Sequence, residues 1–378
     1  MQISGIICEY NPFHLGHKKQ IDYLRSQGHA VVCLMSGNFV QRGYPAIFNK
    51  MVRAEAALQC GADLVVELPI QYAISSAEGF AAGGVEILSK ICDHICFGAE
   101  TDDLTAITQA ARALLTPQFS EKLRIHLDKG LSFAAARAAA LADCNSDASI
   151  LDTPNNILAV DYCKAIAMQN SKLDPILIHR QGSYHDTLPD AENPSATALR
   201  ALLENGSQWQ RYVPKNSVGL FDKADIHSLH QAEKAILYRL RTMTDAEFEA
   251  LPYGSEGLWR KLMHASRSCP DLESIIAATK SKRYTRTRID RMILCAFLGI
   301  TEEIQRTPAP YARVLGFNNT GRAILNRVKE NGYFINIGER TDSPYQQHEQ
   351  RVSALYGLFA AEAERPDQEQ KYRIIYKK

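Results

Sequence analysis

Over the first hundred positions, apolar residues fall in short β-branched runs separated by stretches of helical spacing. Ile3–Cys8, Ala30–Met35, Leu64–Leu68 and His94–Phe97 read as strands, the last of them stopped by Gly98. Between them, His17–Gln27, Asn49–Cys60 and Ser76–Ser89 read as helices. Strands with so little polar alternation suit a sheet covered on both faces. Their regular exchange with helices predicts an α/β fold built on a doubly wound parallel sheet, with the ligand beyond the carboxyl ends of the strands.

From Asp103 to about Asp143 the pattern turns helical and rich in alanine, most densely at Ala134–Ala136 and Ala138–Ala140, which predicts a helical insertion. Leu173–His179 returns to a strand, and Ser195–Leu203 begins a helix after Asn193-Pro194. Beyond about Asn205 strand signals thin out. Ala232–Met243, Leu258–Ser266, Asp271–Ala278, Arg286–Leu298, Thr320–Asn331 and Glu349–Glu364 all have helical period. The expected organisation is therefore a sheet domain over residues 1–204 followed by a mostly α-helical C-terminal domain over 205–378.

Composition adds limits. With 378 residues, 46% of them hydrophobic and 22% charged, the chain can bury a large core, which excludes disorder, collagen and a disulfide scaffold. The formal net charge of +1 hides an asymmetry: residues 1–200 carry 16 basic against 21 acidic side chains, and residues 201–378 carry 27 against 21. No secretory leader and no bilayer-length apolar run is legible, so the expected location is cytoplasmic, with no membrane partner. The nine cysteines sit mostly singly in apolar segments, as buried thiols do. Cys92-Asp93-His94-Ile95-Cys96 is the one cluster, and it lacks the second ligand pair that zinc requires; no metal-binding residue is assigned.

The strongest chemical signal is Asn11-Pro12-Phe13-His14-Leu15-Gly16-His17, placed between the first strand and the first helix. Gly16 lets a phosphate approach the backbone, and a helix start aims unpaired N–H groups and a positive dipole end outward. Two histidines flanking that glycine can donate to the negative charge that grows as pyrophosphate leaves. A pair of ordinary surface histidines is the competing interpretation.

His14-Leu15-Gly16-His17 resembles the HIGH motif of the nucleotidyltransferase superfamily. Ser195-Ala196-Thr197-Ala198-Leu199-Arg200 is similar to its second element, a hydroxyl-rich turn with a basic residue, although Pro194 replaces the usual aliphatic residue. An ordinary helix cap would also explain Ser195. Further segments narrow the resemblance: Glu9-Tyr10-Asn11-Pro12-Phe13-His14, Ser36-Gly37-Asn38-Phe39-Val40-Gln41-Arg42-Gly43, Asp63-Leu64-Val65-Val66-Glu67-Leu68-Pro69, Phe97-Gly98-Ala99-Glu100, Pro154-Asn155-Asn156-Ile157-Leu158, His179-Arg180-Gln181-Gly182 and Lys282-Arg283-Tyr284-Thr285-Arg286-Thr287-Arg288. Together, and in this order, they resemble the tRNA(Met) cytidine acetate ligase family.

That resemblance implies a Rossmann-like nucleotidyltransferase domain and a tRNA-binding C-terminal domain. It implies a ligase that activates acetate with ATP to acetyl-adenylate and acetylates N4 of the wobble cytidine of elongator tRNA(Met). His14 and His17 would be catalytic. ATP would lie along Ile7, Cys8, Glu9, Tyr10, Asn11, Pro12, Phe13, His14, Leu15, Gly16, His17, Lys18, Lys19 and Gln20, with Gly98, Asn155, Arg180, Ser195 and Arg200 completing its site and Mg²⁺ as cofactor. The loop Ser36–Gly43, with Arg42, is a candidate for holding acetate or the incoming base. Glu67 or Glu100 could position magnesium through water.

Six basic residues, Lys280, Lys282, Arg283, Arg286, Arg288 and Arg291, fall within twelve positions around Tyr284 and face one acid, Asp290. In a tRNA-modifying family, Lys282, Arg283, Arg286 and Arg288 become candidate tRNA contacts, and Arg313, Arg322, Arg327 and Lys329 could extend their surface. Two other readings remain open: a small-molecule adenylyltransferase and a non-catalytic, nucleotide-gated RNA-binding protein. Oligomeric state is not legible.

Overall fold

The structure is a computed structural model that describes residues 1–180, 195–341 and 343–378. Gln181, Gly182, Asn193 and Pro194, which the sequence reading used, lie outside these. Ten strands are described: β1 (Ile3–Cys8), β2 (Ala30–Ser36), β3 (Phe39–Val40), β4 (Tyr44–Pro45), β5 (Leu64–Leu68), β6 (His94–Ala99), β7 (Asp174–His179), β8 (Ala312–Asn318), β9 (Phe334–Asn336) and β10 (Ile375–Lys377). Eight form one sheet in the order β10-β8-β5-β2-β1-β6-β7, with β9 also on β8; β3 and β4 make a separate hairpin. All sheet pairs are parallel except β5 with β8.

Successive strand residues enter different cores. In β2, Val32 and Leu34 join one cluster while Val31, Cys33 and Met35 join another. Helices cover both faces, so the continuous apolar runs are the mark of a sheet without a wet side. A third cluster lies among the helices of residues 229–300 and takes in Phe39 and Ile74 from the N-terminal part. The alanine-rich insertion forms three helices, Leu104–Ala113, Pro117–Asp128 and Phe133–Ala142.

Four expectations need correction. The first helix begins at Leu15 rather than His17, because His14 caps it. Strand β6 does not stop at Gly98; it continues to Ala99, with Gly98 in register with Ile178. The last long helix spans Pro344–Tyr356, starting at Pro344 behind the Ser343 cap and ending well before Glu364. Finally, the chain beyond residue 205 contributes three strands. Among them β8 lies beside β5, so the sheet draws on both sides of residue 204. Arg313, the second residue of β8, disguised it; the side chain is only 2% exposed and pairs with Glu349 at 2.9 Å. It therefore adds nothing to a basic surface.

Candidate active site

The turn after β1 is built by its own histidines. His14 Nδ1 accepts the Gly16 N–H at 3.1 Å, and His17 Nδ1 accepts the His14 N–H at 3.3 Å, so the pair forms a reciprocal cap on helix Leu15–Ser26. With both Nδ1 atoms accepting, the imidazole proton of each ring is on Nε2. The rings stack with centroids 3.7 Å apart, and Tyr10 and Phe13 pack against His17. Burial, then the positive charges of Arg180 and Arg200, hold His14 down to about 3. Burial, His14 and Arg180 likewise hold His17 well below the usual histidine range. The turn thus presents two neutral rings, each with one committed donor.

Arg180 and Arg200 reach this turn from different elements. Arg200 lies on helix Ala196–Glu204, whose cap Ser195 accepts the Ala198 N–H at 3.1 Å. Its guanidinium donates to Asn11 O at 2.8 Å, Thr197 Oγ1 at 3.1 Å and the Tyr44 hydroxyl oxygen at 3.3 Å. The second motif is thereby latched onto the first. Arg180 follows β7 and lies across Gly98: a Cβ on Gly98 would come within 2.7 Å of Arg180 Cδ. In this structure the space left by the missing side chain is used by that arginine. Arg180 also donates to Asn155 Oδ1 at 3.4 Å.

Asn155 belongs to a network that the sequence did not reveal. Thr153 is the cap of helix Pro154–Met168, and Asn155 lies in its first turn. Asn155 Nδ2 donates to Glu100 Oε1 at 2.6 Å, while Thr153 and the Asn156 N–H donate to Glu100 Oε2 at 2.9 and 3.0 Å. Asn156 Oδ1 in turn accepts the N–H groups of Glu100 and Thr101. Partial burial pushes the Glu100 carboxyl up, but these hydrogen bonds outweigh it and hold the group below the usual glutamate range.

The loop after β2 is not a solvated one. Phe39 and Val40 are fully buried in the hairpin. Gln41 N–H donates to Glu9 Oε1 at 2.7 Å, which ties the loop to the residue following β1. Arg53 is a residue that sequence reasoning missed. It is fully buried and donates to the carbonyls of Glu9, Ser36, Gly37 and Phe48, cross-bracing the carboxyl ends of β1 and β2. Glu67 is held by Lys50 at 2.8 Å, so it is engaged elsewhere. Among the described residues, no group of three or more His, Cys, Asp or Glu is placed to hold a metal ion.

The basic segment divides. Lys282 and Arg283 are exposed. Arg286 is bound by Glu273 at 2.5 Å and Asp290 at 3.1 Å, and Arg288 by Tyr253 O, Ser255 and Glu256. Arg291, counted with them in the sequence, is buried instead.

A parallel sheet whose first strand leads into a histidine-capped helix start, with two arginines converging on it, defines a HIGH-type nucleotidyltransferase. The sequence model of the family described as HIGH Nucleotidyl Transferase matches residues 1–371. The tRNA(Met) cytidine acetate ligase of Clostridium novyi (strain NT) is 38% identical over 352 residues, covering 87% of this chain and 88% of the relative. That of Caldanaerobacter subterraneus subsp. tengcongensis is 39% identical, covering 87% and 86%. Thermotoga maritima TmcAL in its apo form superposes with a TM-score of 0.91 at 27% identity over 100% of this chain and 99% of that one, and its complex with alpha-thio ATP with 0.88 at 26%. The chain belongs to the tRNA(Met) cytidine acetate ligase family.

Proposed function

We propose that the protein is an ATP-dependent ligase that converts acetate to acetyl-adenylate and transfers the acetyl group to N4 of the wobble cytidine of elongator tRNA(Met). The observation that carries the nucleotide chemistry is the locked histidine pair beside Arg180 and Arg200. The choice of acid and RNA rests on the names of the relatives, and ATP on the name of the Thermotoga complex.

An acetate oxygen attacks the α-phosphorus of ATP and pyrophosphate leaves. His14 and His17, neutral and donating through Nε2, stabilise the charge that develops on the phosphate oxygens, while Arg180 and Arg200 supply fixed positive charge. The stretch Ile7–Gln20, with Gly98, Asn155 and Ser195, cradles the nucleotide. The cytidine N4 then attacks the acetyl carbonyl, AMP departs and one N4 proton is lost. Activation as an adenylate makes a cysteine or serine nucleophile unnecessary. Mg²⁺ would accompany the triphosphate and offset its charge; Glu67 and Glu100, the carboxylates that could reach it through water, are engaged by Lys50 and by Asn155 and Thr153. Lys282, Arg283, Arg286 and Arg288 provide the RNA contact, with the first two free to meet phosphates directly. No helix among the described residues is long and apolar enough to cross a membrane, and the proposed site of action is the cytoplasm.

Incubation with ATP, Mg²⁺, labelled acetate and tRNA, followed by nucleoside analysis, is expected to yield N4-acetylcytidine. Acetate should also drive exchange of labelled pyrophosphate into ATP without RNA. A small-molecule adenylyltransferase would show neither, and their absence would overturn this function.

A further inference from the structure

Arg291 lies on helix Arg286–Leu298, the helix whose first turn carries Arg286 and Arg288, yet it is buried towards Gln41. It is 9% exposed, and its Nε has no hydrogen-bond partner among the described residues. Its guanidinium sits 5.2 Å from the centre of the Tyr253 ring, and Nη1 reaches Gln41 O at 3.5 Å. Contact between helix and loop is close: a Cβ on Gly43 would lie 2.5 Å from Arg291 N. Both ends of this contact lead onward. Tyr253 O accepts from Arg288 Nε at 2.9 Å, and Tyr253 OH donates to Ile74 O at 3.3 Å. On the other side Gln41 N–H holds Glu9, whose carbonyl is braced by Arg53 and which lies five residues before the helix cap His14.

A continuous path of packed and hydrogen-bonded groups therefore runs from the proposed RNA contact, Arg288, through Tyr253, Arg291 and Gln41 to the residue that follows β1. A buried guanidinium is costly to keep without a carboxylate on it. Among the described residues no carboxylate lies within ion-pair distance of Arg291, and the adjacent Asp290 is bonded to Arg286. What Arg291 does hold is a loop carbonyl and a ring, which fixes the distance between two modules.

We propose that Arg291 is a positioning residue that clamps the RNA-bearing helix to the loop Gly37–Gly43 of the nucleotide site, so that the target base meets the activated acyl group. This rests on the function proposed above. Activation of acetate needs only the nucleotide site, whereas transfer needs both modules in register, and a misplacement of about 1 Å can cost on the order of 100-fold in rate.

Arg291→Met is expected to leave acetate-dependent pyrophosphate exchange and tRNA affinity within about two-fold of the unaltered protein, and to slow single-turnover acetyl transfer at least about ten-fold. Arg291→Lys should recover part of the loss. Tyr253→Leu, which removes the ring but keeps the carbonyl used by Arg288, should reproduce it, and Tyr253→Phe should not. Amide hydrogen exchange over residues 37–43 should slow when tRNA binds to the unaltered protein and not respond in Arg291→Met. Parallel loss of exchange and transfer would make Arg291 merely structural, parallel loss of tRNA affinity would make it an RNA contact, and unchanged transfer or an unresponsive loop in the unaltered protein would equally overturn the proposal. Failure of the functional reading is separate: the unaltered protein would then form neither adenylate nor acetylcytidine, while the loop response to tRNA still tests the clamp.

Discussion

The two histidines carry a commitment fixed by backbone geometry. Because each Nδ1 accepts a main-chain N–H, protonating the ring on that nitrogen would break a helix cap as well as place charge in a buried turn. Both effects favour the neutral form. Acetate-dependent exchange should therefore show no acid limb near the ordinary histidine pKa of about 6.5, and a limb there would sink the neutral-donor role. The sign for stability follows. Between about 3 and 6.5 the unfolded chain binds a proton at position 14 that the folded one excludes, so stability is present above that window and declines as pH falls through it. Denaturant titrations from pH 7 to 4 should show that decline, with a shallower slope in His14→Gln; the same variant should lose roughly 100-fold in exchange rate.

At the scale of elements, the strands of the N-terminal sheet were readable because burial on both faces leaves uninterrupted apolar runs. The start of the first helix was not, since rules for caps look for Ser, Thr, Asp or Asn and a histidine did the work. Likewise β8 was hidden by Arg313, whose charge is tolerable in a strand only because Glu349, distant in sequence, neutralises it. The candidate site was legible as motifs, but its bracing was not: Arg53, Asn156 and Gln41 act through backbone carbonyls and N–H groups that no side-chain pattern announces. The basic segment illustrates the same limit. Composition gave its four candidates equal standing, whereas Arg286 is occupied by two acids. Lys282→Ala and Arg283→Ala should each reduce the salt dependence of tRNA binding by about one unit of slope. Arg286→Gln should reduce it by less, since its charge is already neutralised within the fold; equal slopes for all three would show that the ion pairs open on binding.

At the scale of the molecule, the parts are joined by buried charge. Lys50 pairs with Glu67 and with Glu369, each at 2.8 Å, while Arg313 pairs with Glu349, so residues more than three hundred positions apart meet in one cluster. Burial pushes the Glu349 carboxyl up to about 7 despite Arg313. Removing one partner of such a cluster strands the others. Lys50→Met should cost about 3–5 kcal/mol of stability, seen as a lower denaturant midpoint, and Lys50→Met with Glu369→Met should recover part of it; an additive loss would mean that the two residues act independently.

The antiparallel pairing of β5 with β8 also bears on the order in which the protein can be made. Until some 250 further residues have left the ribosome, the outer edge of Leu64–Val66 has no neighbour, and an uncovered apolar edge invites pairing with other chains. The nascent N-terminal sheet is therefore the stage of biogenesis at which the chain most needs shielding, and arrival of Ala312–Asn318 ends that exposure.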